Sequence, residues 1–241
     1  MRPEPSAPRR LRRRLAAVAV AGAVAAALAV AGALAVDRFS DRGHTGATEP
    51  WQDGEVHGPW RSVFHGYGTN TGGADRLDLV PRAAREPDRT HAGLVVSTTR
   101  YGDLEYRARM RTAEQLRTPE PNPWEVAWLV WAYTDPEHFY YLALKPNGWE
   151  LGKRDPEYRG GQRFLATGAP DFPVGEWSGV RVRHDGARMT VAVDGQQLVD
   201  FTDRERPYTS GSVGAYTEDA HAQFRDVAVP RGRRVPDSRR P

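Results

Sequence analysis

Between residues 93 and 229 the chain runs in short apolar or alternating stretches broken by turn residues, and this spacing constrains its fold more than any other feature. The stretches are GLVVS (93–97), DLEYRARMR (103–111), EVAWLVWAYT (125–134), HFYYLALK (138–145), GWELGKR (148–154), RFLAT (163–167), SGVRVRH (178–184), RMTVAV (188–193), QLVDF (197–201), SVGAYT (212–217) and AQFRDVAV (222–229). A strand turns successive side chains to opposite faces with a period of two, whereas a surface helix shows a period of 3.6. Apart from one apolar run near the N-terminus, no segment keeps the helical period over three turns. Eleven strand-like runs at this spacing predict an all-β antiparallel sandwich or barrel. Turn chemistry agrees. Asp194-Gly195 lies between alternating runs as a favoured two-residue hairpin turn. Pro136 and Pro146 sit early in their turns, where a fixed φ helps, and Gly148 sits where a left-handed residue is needed.

The ends of the chain differ from its body. MRPEPSAPRRLRRR is followed by an unbroken apolar run over residues 15–36, the order of charge and hydropathy that directs export. That run of 22 residues, with Ala33-Leu34-Ala35 as a small-x-small site, is expected to be a signal peptide or an uncleaved membrane anchor, with the rest of the chain outside the cytoplasm. Residues 37–50 are polar and rich in Gly and Thr and read as a linker. Residues 230–241 read as a basic disordered tail. The two ends hold six and five of the 34 basic residues and two of the 31 acidic ones, leaving 23 basic against 29 acidic over 37–229, a net of −6. The high overall basicity is therefore terminal, and a nucleic-acid partner bound through phosphates is not expected. With no cysteine, disulfides, thiolate metal sites and cysteine nucleophiles are excluded.

Known catalytic and metal motifs are missing. There is no H-E-x-x-H, no G-x-S-x-G, no P-loop and no EF-hand loop, and the seven histidines are scattered at no ligand spacing. His138, beside Asp135 and Glu137, is a candidate acid or base in an exposed turn. Asp103 and Glu105 share a strand face about 7 Å apart, but Arg107, Arg109 and Arg111 continue on it, the pattern of a solvated charge ladder.

The lysines are the chain's oddity. All 34 basic residues are arginine except Lys145 and Lys153, which flank the turn at Pro146-Asn147-Gly148. Pairing the strands through a four-residue loop at 135–138 and a three-residue loop at 146–148 sets Trp128 opposite Lys145, Lys145 opposite Trp149, and Tyr141 opposite Lys153. One face then carries Trp128, Tyr141, Lys145, Trp149 and Lys153 around small alanines, and the other carries Leu129, Trp131, Tyr140, Leu142, Leu144, Glu150 and Arg154. The leucine-rich face reads as core. The face with both lysines reads as a groove floor, with flat rings to stack on sugars and ammonium donors for hydroxyls.

WSGVRVRHDGARMTVAVDG (177–195) reads W-x-x-V-x-V-x-x-x-G-x-x-x-x-V-x-V-D-G, followed by SGSVGAYTEDAHAQFRDVAV with Gly211, Gly214, Phe224, Asp226 and Val229. These resemble the closing strands of the concanavalin A-like lectin/glucanase superfamily, and within it laminin-G-like modules and the 3-keto-disaccharide hydrolase-like domains of secreted bacterial proteins. The resemblance covers residues 51–229 and implies a two-sheet jelly roll whose concave face binds glycans. It also implies three kinds of function: a glycan- or polysaccharide-binding domain, a glycoside hydrolase-like enzyme, or an adhesive module. The glucanase motif E-x-D-x-x-E is missing, and Arg109 and NPWEV stand where the hydrolase-like domains carry a glutamate and Asn-Ser-Gly. No catalytic residue is carried over. Asp226, in the last strand, is the acid the resemblance offers to a structural calcium.

Overall fold

A computed structural model describes residues 49–236, so the export segment, almost all of the linker and the last five residues lie outside the described residues. No helix occurs among the described residues. The strands are β1 (Val56–His57), β2 (Trp60–Phe64), β3 (Thr69–Gly72), β4 (Leu77–Val80), β5 (Ala92–Gln115), β6 (Ala127–Asp135) and β7 (His138–Lys145). They continue with β8 (Gly148–Arg154), β9 (Gln162–Gly168), β10 (Ser178–Asp185), β11 (Arg188–Val193), β12 (Gln196–Thr202), β13 (Gly211–Glu218) and β14 (Ala220–Val235). All pairings are antiparallel, in the order β12-β11-β10-β5-β13-β6-β7-β8-β9, with β2 and β14 also on β5 and with β4 and β3 beyond β14. The protein is an all-β sandwich.

The 24-residue β5 makes the sandwich possible. Its first part pairs with β13 in one layer, and its second part pairs with β10 and β14 in the other. The two stretches 93–97 and 103–111, separate in the sequence pattern, are thus one strand passing between layers. Between the layers lies the main core, with Leu129, Trp131, Tyr140, Leu142 and Leu151 from one side and Tyr106, Met110, Val180, Val182, Met189 and Phe224 from the other. A second apolar cluster covers the opposite face of the β13-β6-β7 layer. It comprises Leu94, Val96, Trp128, Val130, Phe139 and Tyr141, with Phe64 and Tyr216 packed against it.

Two hairpins differ from the expected pairing. Asp135 pairs with His138 through a two-residue loop, and a bulge between Trp131 and Asp135, where Ala132 takes φ +50°, brings Trp128 opposite Ala143 and Val130 opposite Tyr141. This two-residue displacement preserves the faces of residues 128–131 and of β7, while beyond the bulge Ala132 turns to the main core and Tyr133 to the second cluster. In the next hairpin Lys145 pairs with Gly148, because only Pro146 and Asn147 form the loop. This displacement is one residue, and a one-residue slip turns a strand over. Trp149, Leu151 and Lys153 therefore face the main core, while Glu150, Gly152 and Arg154 join Tyr141 and Ala143. Gly148 acts as the first residue of β8, at φ +119°, where a Cβ would come within 2.4 Å of the Gly168 carbonyl oxygen. Asp194 and Gly195 both take positive φ between Val193 and Gln196, as the hairpin reading requires.

The C-terminal boundary also moves. Residues 230–235, read as the start of a disordered tail, continue β14, where Arg231 pairs with Glu105 and Arg234 with Tyr101. Ladder hydrogen bonds come from the backbone, so an arginine-rich composition does not prevent pairing.

Candidate functional site

The outer face of the β6-β7-β8-β9 layer is built on two stacked rings. Trp128 and Tyr141, neighbours across β6 and β7, lie with centroids 4.4 Å apart at 27°, and Tyr216 from β13 lies 5.0 Å from Trp128 at 56°. Gly152 makes room for this arrangement, because a Cβ there would come within 2.2 Å of the Tyr141 hydroxyl. Packing this tight leaves Trp128 only 3% exposed and Tyr141 fully covered. The two rings expected to stack on sugars are thus the buried support of the site. The exposed ring on this face is Phe164 of β9, directly opposite Gly152 and 64% exposed.

Polar groups converge above the rings. Tyr141 donates its hydroxyl proton to Glu150 Oε1 at 2.6 Å, and Lys145 Nζ donates to Glu150 Oε2 at 2.9 Å. The Gln162 side-chain amide donates to the Tyr141 hydroxyl oxygen. Arg154 pairs with Gln162 across β8 and β9, and no carboxylate lies within ion-pair distance of its guanidinium among the described residues. Its positive charge reaches Tyr141, Tyr216 and Glu218, which places all four in one electrostatic neighbourhood. Burial pushes the Glu218 carboxyl above the ordinary glutamate value, although the Tyr216 hydroxyl and Arg154 oppose this. Burial, reinforced by Glu150, likewise raises the Tyr141 phenol and keeps it a hydrogen-bond donor.

The two lysines have separated. Lys145 lies on this face in its ion pair with Glu150. Lys153 is fully buried on the other side of β8, donating to Asp203 at 2.9 Å and to the backbone oxygens of Glu205 and Arg206, with Asp155 at 3.5 Å. Trp149 is also turned inward, 5% exposed, with its indole N–H on the Ala169 carbonyl at 2.8 Å. Neither faces the outer surface of the layer, which corrects the expected groove floor of five residues: the one-residue turn difference inverted β8. Glu150, Arg154 and Gln162 occupy the places that Trp149 and Lys153 were expected to take. The signal was present in the sequence, since the leucine-rich face as first paired ended in two charges.

The remaining candidates lie elsewhere. His138 contacts Asp135 Oδ1 at 2.7 Å within its own turn. Glu105 is nearly buried and accepts from Arg107 and Arg183, while Asp103 accepts the Gly186 N–H, so each carboxylate is held by partners of its own. Asp226 is exposed at the bulge of β14 with φ +54°, and among the described residues no three His, Cys, Asp or Glu side chains cluster to hold a metal.

A family model described as a 3-keto-alpha-glucoside-1,2-lyase-like domain matches residues 45–230. Among solved structures, the carbohydrate binding module CBM66 from Bacillus subtilis superposes with a TM-score of 0.54 at 16% identity, covering 70% of this chain and 93% of that one. A protein of unknown function with a galectin-like fold from Bacillus subtilis superposes with a TM-score of 0.48 at 15% identity, covering 74% and 90%. At these identities the likeness is one of fold. No curated protein matches the chain in sequence.

Proposed function

The chain belongs to the family of 3-keto-alpha-glucoside-1,2-lyase-like domains, and from that membership we propose that the outer face of β7, β8, β9 and β13 binds a saccharide. The observation that carries this reading is the convergence of Glu150, Lys145 and Gln162 on Tyr141, with Arg154 and Glu218 in the same electrostatic neighbourhood and Phe164 exposed on the same face. Sugar hydroxyls both donate and accept. Glu150 and Glu218 supply acceptors, Lys145, Arg154 and Gln162 supply donors, and Phe164 offers a flat apolar surface to a sugar ring. The carbohydrate binding module of the same fold supports the reading by analogy.

Arg154→Ala and Phe164→Ala are each expected to weaken binding by about 1–3 kcal/mol, the scale of a lost charged donor or stacking ring. A glycan array would select the ligand, and calorimetric titration of the two variants would measure the loss. Unchanged affinity in both, with the fold intact, sinks this placement of the site.

A second reading is lyase chemistry on a keto-glucoside. It is favoured by the family's own description and by Glu218, a carboxyl that burial raises above the ordinary glutamate value, beside the Tyr216 phenol. Product release from a 3-keto-glucoside that disappears in Glu218→Gln, with saccharide affinity kept, would establish turnover. Saccharide binding without release in the wild-type protein would leave binding as the function.

On the same reading the domain works outside the cytoplasmic membrane, exported by the basic and apolar segments of residues 1–36. A reporter active only in the cytoplasm, fused after Ser40, is expected to stay silent. Strong activity there would refute export.

A further inference from the structure

The second layer carries a different surface on its own outer face. Along β5, Arg107, Arg109 and Arg111 point outward while Ala108 and Met110 enter the core. The neighbouring β10 adds Arg181 and Arg183, and β14 on the other flank adds Arg225. Register sets Arg181 opposite Arg107, Arg225 opposite Arg109, and Arg183 opposite Glu105. Glu105 is the one carboxylate that ion-pairs with these arginines among the described residues, consumed by Arg107 and Arg183, and Asp78 reaches only Arg111, through Gln223. The guanidiniums of Arg109, Arg111 and Arg225 all lie over the Trp177 ring, at 5.5, 4.8 and 4.9 Å.

Like charges directly opposite on neighbouring strands cost stability. Nearby, the protein pairs its charges: Arg188 with Asp200, and Arg233 with Asp103. The body as a whole is acidic, so this concentration of cation runs against its composition. Burial and core packing do not call for it, since Arg107, Arg109, Arg181, Arg183 and Arg225 are exposed.

We infer that this face binds a carboxylate-bearing polysaccharide laid across β10, β5 and β14. The guanidiniums of Arg109, Arg181 and Arg225, which hold no ion pair among the described residues, each present a planar fork that matches a carboxylate in two hydrogen bonds. The forks recur at about 7 Å along β5 and about 4.8 Å between strands, so a linear polymer with one carboxylate per sugar meets several in succession. A single small anion would engage only one or two. None of the exposed large apolar side chains belongs to β5, β10 or β14, and the Trp177 ring is capped by cations, so nothing here enters a bilayer. The face is a broad sheet, and neither a helix nor a two-stranded ribbon projects from it into a duplex groove.

The test uses the full-length protein in detergent micelles with sodium polygalacturonate as probe and neutral dextran as control. Binding is expected to polygalacturonate alone, falling about tenfold between roughly 50 and 200 mM salt, as counterion release at several contacts requires. The combined variant Arg109→Ala, Arg181→Ala, Arg225→Ala is expected to lose at least about tenfold in affinity, while its thermal midpoint holds or rises as like-charge repulsion is relieved. Arg188→Ala, whose charge is matched by Asp200, is expected to stay within about twofold of the wild type. Absence of salt-dependent binding, or equal affinity in the triple variant, overturns the inference. Tighter binding to phosphatidylglycerol vesicles or to duplex DNA, lost in the same variant, overturns the choice of partner.

Discussion

Replacing Lys153 by alanine is expected to lower the unfolding free energy by about 3–5 kcal/mol, the cost of removing one member of a buried ion pair. The ammonium has no exposure and sits between Asp203 and Asp155, each 2% exposed, with two backbone carbonyls completing its hydrogen bonds. Its loss leaves two buried carboxylates without their shared cation, with Tyr140 and Arg206 among their remaining side-chain donors. Lys153→Met should cost less than alanine, since it keeps the packed stem. Denaturant unfolding of the three proteins gives the comparison.

The same cluster predicts a pH dependence. Burial would raise the Asp203 carboxyl, but hydrogen bonds from Tyr140 and Lys153 outweigh it and hold the group below the ordinary aspartate value of 3.8. At Asp155 burial is outweighed by the Glu157 backbone N–H and by Arg206, with the same net direction. A carboxyl depressed in the folded state contributes stability that is present above its unfolded pKa and is lost as pH falls through the folded one. The gap between wild type and Lys153→Ala should therefore be widest near neutral pH and narrow below about pH 4. A gap that widens in acid would contradict the cluster.

Trp149→Ala carries the second large expected effect, about 3–5 kcal/mol of stability, as the truncation of a core indole. Trp149 pairs with Leu144 across β7 and β8 and with Gly168 across β8 and β9, where an added Cβ would come within 3.0 Å of its ring. Its N–H satisfies the Ala169 carbonyl, so removal also leaves an acceptor to find water. Equilibrium unfolding in urea should show a lower midpoint with an unchanged slope. Stability retained together with loss of saccharide affinity would put Trp149 on the outer face and undo the register of β8.

How far the fold could be read from sequence depended on what lies on each side of a strand. In β10 and the second part of β5, one face meets the core and the other meets water, so Val180, Val182, Tyr106 and Ala108 alternate with arginines and the strands are plain. In β6 and β7 the alternation disappears, because Leu129 and Trp131 enter the main core while Trp128 and Val130 enter the second cluster. A strand buried on both faces carries no mark of which residue faces which way. The short β1 to β4 went unread for a related reason. They are two to five residues long, and their sequences VH, WRSVF, TNTG and LDLV alternate over too few positions to stand out.

The sequence by itself determined the all-β class, the Asp194-Gly195 hairpin, and the presence of rings and cations in the meander from β6 to β8. Alternation, turn residues and composition are local properties, and they survive folding unchanged. Only the tertiary structure decided which of those rings and cations would face the outside of the layer and which would face the core. That choice rested on whether the turn after Lys145 held two residues or three, and a period of two makes such a difference absolute. It left Lys145 on the outer face but gave it Glu150 as a partner, sent Lys153 to the core with Asp203, and set Arg154 and Gln162 around Tyr141. It was a long-range matter, because the partners that hold β8 in this register, Asp203 from beyond β12 and Gly168 at the end of β9, lie well outside the hairpin itself.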